Sequence, residues 1–129
     1  MRNFNKAKNF YKNTEKSSIQ SQDPIAIVKN MVGELKRSMD KVITSTGVDS
    51  QRQFRAKYFS RSLVIIYTLQ TSLDFEKEEN LAAKLFQLYE FCRQQLIKCF
   101  REQVVEGVKK AINALEEIFV INKMRNNER

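Results

Sequence analysis

Glycine and proline are scarce in this chain, so it has few places at which to turn. Only three glycines and one proline occur in 129 residues. A β-sandwich or barrel needs a turn signal about every 8 to 12 residues. Lys, Glu, Leu and Gln, which favour helices, are common instead. With 42% hydrophobic residues and a length typical of one domain, the sequence predicts a single all-α domain with a real core.

The first helix start is marked by Asp23-Pro24. Asp accepts hydrogen bonds from unpaired N–H groups at a helix start, and Pro suits the first helical position. Residues 1–22 are polar and rich in Asn, Lys, Ser and Gln, so we expect a mobile N-terminal segment there. The expected domain covers residues 23–124, and residues 125–129 are expected to fray.

Four apolar patterns at steps of three and four residues follow, each typical of one face of an amphipathic helix. Together they predict an antiparallel four-helix bundle with short connections. Their positions are Ile25, Val28, Met31, Val32, Leu35, Met39, Val42 and Ile43; then Phe54, Tyr58, Phe59, Ser62, Ile65, Ile66, Leu69 and Leu73; then Leu81, Ala82, Leu85, Leu88, Tyr89, Cys92, Leu96 and Cys99; then Val104, Val105, Val108, Ala111, Ile112, Leu115, Ile118 and Phe119.

The predicted connections differ in how clearly they are marked. The first helix is predicted to end at a loop of residues 44–47 that contains Gly47, Asp49 or Ser50 is a candidate cap for the second, and Asp74 is a candidate cap for the third. A turn at residues 101–103 is needed to fold the last two apolar faces together, yet no Gly or Pro lies there. One long helix is the competing interpretation.

The residue types exclude most enzyme classes. There is no His, which removes Ser-His-Asp and Cys-His catalysis, imidazole zinc ligands and a His general base. Cys92 and Cys99 lie two helical turns apart, roughly 10 Å along the axis, beyond disulfide reach. They are predicted to pack in the core as free thiols. We expect no catalytic residue, metal or cofactor, and a reducing compartment.

The net charge of +8 is compatible with nucleic acid, an anionic membrane or an acidic protein as a partner. The alternative is that the charge only keeps the protein soluble. Residues 73–102 carry five basic and six acidic side chains, so no nucleic-acid binding is expected. The N-terminus lacks the apolar segment of a secretory signal, and no apolar run is long enough for a membrane span. We expect a cytoplasmic protein without membrane insertion.

Several apolar residues lie partly off the main helix faces. Two explanations stay open: isolated surface hydrophobic residues, which are normal, or a groove for a partner helix. The residues are Phe59, Leu63, Phe75, Phe86, Phe91, Ile97 and Phe100.

The segment SLDFEK at residues 72–77, with Leu81-Ala82, Leu85 and LYE at residues 88–90, resembles the SLDFEKGGEIAxNLxxLYEY motif of flagellin export chaperones, the FliS family. The resemblance covers roughly residues 10–120. Glu78-Glu79 replaces the Gly-Gly of the family.

The resemblance implies a four-helix cytoplasmic chaperone for flagellar secretion. Its members bind the C-terminal helical segment of flagellin, prevent premature polymerisation and bring the subunit to the flagellar export gate. It further implies that Tyr11 belongs to a movable cover over the client site that also takes part in docking at the gate. A monomer or weak dimer is expected.

The resemblance and the apolar pattern together give nine candidate partner-binding residues. They are Tyr11, Ile25, Val28, Val32, Leu73, Phe75, Leu81, Leu85 and Tyr89. The rival hypotheses are a helical chaperone or adaptor for another exported client and, less favoured, a basic nucleic-acid-binding bundle.

Overall fold

The computed structural model describes residues 23–127, with side chains described through residue 118. This part of the chain holds four long helices and no strand. Helix α1 spans Pro24–Ser45, α2 spans Arg52–Thr71, α3 spans Glu79–Glu102 and α4 spans Glu106–Asn127. One turn of 3-10 helix, Asp49–Gln51, precedes α2.

Each helix packs against two others. Helix α1 contacts α2 and α4, and α3 contacts α2 and α4, so the side formed by α1 and α4 lies opposite the side formed by α2 and α3. Short connections reverse the chain each time. The predicted antiparallel four-helix bundle is therefore confirmed. We call the end where α1 and α3 begin the lower end, and the end where they finish the upper end.

A core lies between the apolar faces of the four helices, over the part of the bundle whose side chains are described. Both cysteines lie in it as free thiols, with Cys92 0% and Cys99 1% exposed, so their predicted packing role is confirmed. Burial of these faces supplies most of the drive for folding. The buried hydrophobic residues that form one cluster are Met31, Val32, Leu35, Met39, Val42, Ile65, Ile66, Leu69, Tyr89, Cys92, Leu96, Cys99, Val108, Ala111 and Leu115.

The predicted start of α1 is confirmed, and its end lies two residues later than predicted because Thr44 and Ser45 are still helical. A carboxylate oxygen of Asp23 accepts a hydrogen bond from the Ala26 N–H at 2.8 Å, and Pro24 occupies the first helical position. The helix ends at Ser45, two residues before Gly47, whose φ of +83° favours glycine.

The predicted caps of the next two helices are wrong. Asp49 and Ser50 lie in the 3-10 turn, and α2 begins without a side-chain cap. Asp74 accepts hydrogen bonds from the N–H groups of Glu76 and Lys77 at 3.0 and 3.2 Å, so it closes a separate turn. Helix α3 begins later, at Glu79.

The turn predicted at residues 101–103 is confirmed, and the single long helix is wrong. Helix α3 ends at Glu102, and Gln103 takes the left-handed conformation with φ of 60°. Its N–H donates to the Cys99 carbonyl at 2.8 Å. A left-handed residue thus makes the turn that glycine makes at many helix ends.

Replacing Gln103 with glycine is expected to raise the free energy of unfolding by about 0.5–1 kcal/mol. The left-handed conformation costs a residue with a Cβ roughly 1–2 kcal/mol, and the extra freedom of glycine in the unfolded chain returns part of that gain. Urea denaturation followed by circular dichroism measures the change. Gln95→Gly, inside α3, is the matched control and should lose stability. A loss in both variants would contradict strain at Gln103.

Candidate functional site

The segment between α2 and α3 exposes an aromatic residue at the lower end. Phe75 lies inside the turn that Asp74 closes, and 44% of its surface is exposed. Its ring meets the edge of the Phe86 ring on α3, with 6.3 Å between centroids. Phe86 is itself 37% exposed. The two rings form a small apolar surface that is already ordered.

Polar contacts between α2 and α3 fix the helix that carries Phe86. The side-chain amide of Gln70 donates to the Phe86 carbonyl at 3.4 Å and to a Glu90 carboxylate oxygen at 3.2 Å. Arg93 donates to the same carboxylate from Nε at 3.0 Å. That hydrogen bond from Arg93 is the main reason why the pKa of Glu90 is lowered. The link holds α2 and α3 in register beside the aromatic pair.

Four other candidate residues lie at the edge of the core at the lower end. Val28, Leu73 and Leu85 are partly buried and pack against the core cluster. Leu81, in the first turns of α3, is also partly buried. These side chains expose only part of their surface, so a partner that covered them would extend the core.

Ile25 lies on another side of the bundle. It is 59% exposed and stands three turns before Lys36 on the same face of α1. The Lys36 ammonium reaches a carboxylate oxygen of Glu116 in α4 at 3.9 Å, so this face of α1 is turned toward α4. Phe75 is on the side formed by α2 and α3. The structure therefore does not bring Ile25 and Phe75 together.

The remaining three candidates are not at the described surface. Val32 is 3% exposed and Tyr89 is 1% exposed, so both belong to the core in this conformation. Tyr11 lies outside the described residues.

Three exposed apolar residues were missed by the sequence analysis, and one of them, Val48, lies in the connection between α1 and α2. Val64 is 45% and Tyr67 is 39% exposed on the outer face of α2. They belong to the run of apolar residues 63–67, and their three-residue spacing away from the buried face was the available signal. Near the upper end, Phe59 and Phe100 stack with centroids 4.1 Å apart and join α2 to α3.

The residues brought together at the lower end offer apolar and aromatic contact. Among the side chains described, no group of three or more Cys, Asp or Glu residues is placed to hold a metal ion. None of the helices within residues 23–127 is both long enough and apolar enough to cross a bilayer.

The model of one protein family, flagellar protein FliS, matches residues 7–121. The chain belongs to the FliS family. Membership implies a role as a flagellar export chaperone, which agrees with the resemblance of the LDFEK and LYE segments. No curated protein and no solved structure matches the chain. The family match covers both the aromatic pair at the lower end and the whole described core.

Proposed function

We propose that this FliS-family protein is a cytoplasmic chaperone that binds the C-terminal helical segment of flagellin. Binding would prevent premature polymerisation and help the flagellar export gate to receive the subunit. The observation that carries the proposal is the family match over residues 7–121. The exposed Phe75, which lies in the SLDFEK segment that carries the resemblance to the family, supports a contact at that point.

The physical basis is capture of an apolar helix with coupled folding of the client. Phe75 and Phe86 are held by the Asp74 turn and by helix α3, so their ordering has little further entropic cost. A phenylalanine buries on the order of 200 Å². Covering the exposed part of Phe75 would then contribute about 2 kcal/mol at 25 cal/mol per Å².

Phe75→Ala is expected to weaken binding of the flagellin segment roughly tenfold or more, which corresponds to the loss of this contribution. The measurement is isothermal titration calorimetry with the C-terminal segment of flagellin from the same organism. Wild-type binding should show a negative heat-capacity change, since apolar surface is buried.

Phe54→Ala is the matched control. Phe54 is also a phenylalanine, 41% exposed against 44% for Phe75, but it lies near the upper end of α2. Its replacement should change the affinity less than about twofold. Equal losses in the two variants would contradict a client site at the lower end. No binding by the wild-type protein at high micromolar concentration would refute the flagellin assignment and favour another exported client.

Ile25, on the other side of the bundle, enters the proposal through the length of the client. A helical segment that wraps the lower end can contact Ile25 and Val28 as well as Leu73, Leu81 and Leu85. On the resemblance alone, we further propose that the segment with Tyr11 covers this surface in the absence of client and takes part in docking at the export gate. Val32 and Tyr89 would then contribute through the core beneath.

A further inference from the structure

A row of basic side chains follows the seam between α1 and α2, away from the aromatic pair at the lower end. Its first two members are Arg37 of α1 and Arg61 of α2, which share the carboxylate of Glu34. One Glu34 oxygen lies 2.9 Å from Arg37 of the same helix, and the other lies 2.8 Å from Arg61 of α2. This carboxylate joins the two helices and leaves one excess positive charge at that level.

One to two turns nearer the upper end, two lysines share an aromatic ring. The Lys41 ammonium lies 4.5 Å from the centroid of the Tyr58 ring, and the Lys57 ammonium lies 5.4 Å from it. The ring of Phe54, 41% exposed, packs against Tyr58 with 4.8 Å between centroids. Within the described residues, neither lysine forms an ion pair with a carboxylate. The ring of Tyr58 orients both charges without neutralising them.

Arg55 closes the row at the upper end. Its guanidinium donates to the Ser45 carbonyl at 2.6 Å, at the end of α1, so it is fixed by backbone and not by an acid. We call this surface the basic seam. It consists of Arg37, Lys41, Arg55, Lys57 and Arg61, with Glu34, Phe54 and Tyr58.

We propose that the basic seam is a second docking site, which binds a short acidic protein segment that carries an apolar side chain. Glu34 is the carboxylate that pairs with cations of this surface, whereas Asp40 and Asp49, both exposed beside it, form no ion pair with a described residue. Five cations therefore outnumber the acids in and around the seam, and an exposed aromatic ring lies among the cations that lack an acid. Such a surface is complementary to carboxylates flanking an apolar residue. The site goes beyond the proposed function, because it is separate from the client surface at the lower end.

The dimensions favour a short segment. The cations of the seam follow α1 from Arg37 to Ser45, a rise of eight residue steps or about 12 Å at 1.5 Å per residue. That length matches about four residues of an extended peptide.

The distribution of acidic residues favours a protein segment over a nucleic acid as the partner of the basic seam. The segment between α2 and α3 carries Asp74, Glu76 and Glu78, all exposed, and α3 begins with Glu79. A long polyanion that followed the bundle beyond the seam would meet these carboxylates. A short peptide whose few carboxylates stay within the seam would not meet them.

The test uses a fluorescein-labelled peptide of about ten residues, made of Asp and Glu around a central Leu-Phe pair. The readout is fluorescence anisotropy with the full-length protein at about 50 mM and about 200 mM salt. We expect binding that weakens at the higher salt. A counterpart peptide with Asn and Gln in place of the acids should not bind.

The deciding variant is Lys41→Gln with Lys57→Gln, which is expected to weaken binding of the acidic peptide roughly tenfold. The matched control, Lys29→Gln with Lys84→Gln, removes two exposed lysines from the lower half of the bundle and should change affinity less than about twofold. Thermal melting by circular dichroism checks that both variants are folded.

Three outcomes would overturn the proposal. The first is no binding of the acidic peptide at high micromolar concentration. The second is an equal loss in both double variants, which would indicate attraction by net charge alone. The third is tighter binding of a labelled ten-nucleotide oligothymidine than of the peptide, which would make the seam a nucleic-acid surface. Client titrations on the same variants are independent, so failure here leaves the flagellin proposal standing.

Discussion

Tyr89→Ala is expected to lower the free energy of unfolding by about 3–5 kcal/mol, the usual cost of truncating a buried aromatic residue. Tyr89 has the largest fully buried side chain of the described residues and is 1% exposed. It lies on α3 in the cluster that joins all four helices. Neighbours in a packed bundle move only partly into the space left behind, so a cavity adds to the lost burial.

Urea denaturation followed by circular dichroism measures this loss, because the chain has no tryptophan to report by fluorescence. Tyr89→Phe is the matched control. It keeps the ring and nearly all of the buried area, and should change stability by about 1 kcal/mol at most.

The stability of Tyr89→Ala decides whether a loss of flagellin binding in this variant is due to a damaged core or to a lost contact. Natural domains are stable by only about 5–15 kcal/mol, so Tyr89→Ala would raise the unfolded fraction strongly. Reduced flagellin binding with a large loss of stability would be an indirect effect of the core. A stability loss below about 1 kcal/mol together with lost binding would make Tyr89 a contact residue, and would contradict its placement in a closed core.

The ends of a helix could be predicted from the sequence where a residue type strongly favours one position at a helix end. Asp23 with Pro24 marks a helix start, which is found where predicted, and Gly47 with positive φ lies in the loop that follows α1. The turn at Gln103 was predicted only from the need to fold two apolar faces together, since glutamine carries no turn signal of its own.

The start of α3 could not be predicted, because several residues compete to cap it. Asp74 is followed by acids at Glu76, Glu78 and Glu79, each suited to a first helical turn. The hydrogen bonds of Asp74 close a local turn instead, and the helix begins only just before the first apolar contact at Leu81. Local side-chain competition of this kind is not visible in the apolar periodicity.

The candidate site was predicted from the apolar faces of the helices. The structure shows that its residues differ in how deeply they are buried. Val32 and Tyr89 share the apolar pattern with Val28 and Leu85, yet the first two are buried and the other two lie at the edge of the core. A helical pattern gives the direction of a side chain but not its distance from the end of the bundle. Phe75 was recognisable from its motif, and its exposure follows from a turn outside any helix.

Alkaline pH is expected to destabilise the bundle through Cys92. The side chain is 0% exposed, and burial raises the pKa of its thiol from 9.0 to about 12. The folded state therefore keeps the proton in a range where the unfolded chain loses it. The stability linked to this thiol is fully present below pH 9 and is lost as the pH rises toward 12, with a slope of about 1.4 kcal/mol per pH unit.

Tyr89 acts in the same direction at higher pH. Burial first, and the charge of Cys92 second, raise the pKa of its phenol. The unfolded phenol ionises near pH 10, so from there upward both groups favour unfolding.

The measurement is the free energy of unfolding in urea from about pH 8 to about pH 11, for the wild-type protein and for Cys92→Ala. At pH 8 the variant should be less stable by about 1–2 kcal/mol, because it loses the packed sulfur. By pH 11 the wild type should have lost about 3 kcal/mol through Cys92 alone, so the gap should close or reverse. Val108→Ala, another truncation at a position 0% exposed, should keep a constant gap.

The comparison of slopes separates Cys92 from the groups that are not coupled to it, whereas Tyr89, whose pKa is raised in part by the charge of Cys92, belongs to the same effect. Lysines and the remaining tyrosines are present in all three proteins, so their contribution cancels in each difference from wild type. A gap for Cys92→Ala that stays as constant as that for Val108→Ala would mean that the thiolate forms in the folded bundle at little cost. Water would then have to reach the middle of α3 without global unfolding, and the closed core around Cys92 would be contradicted.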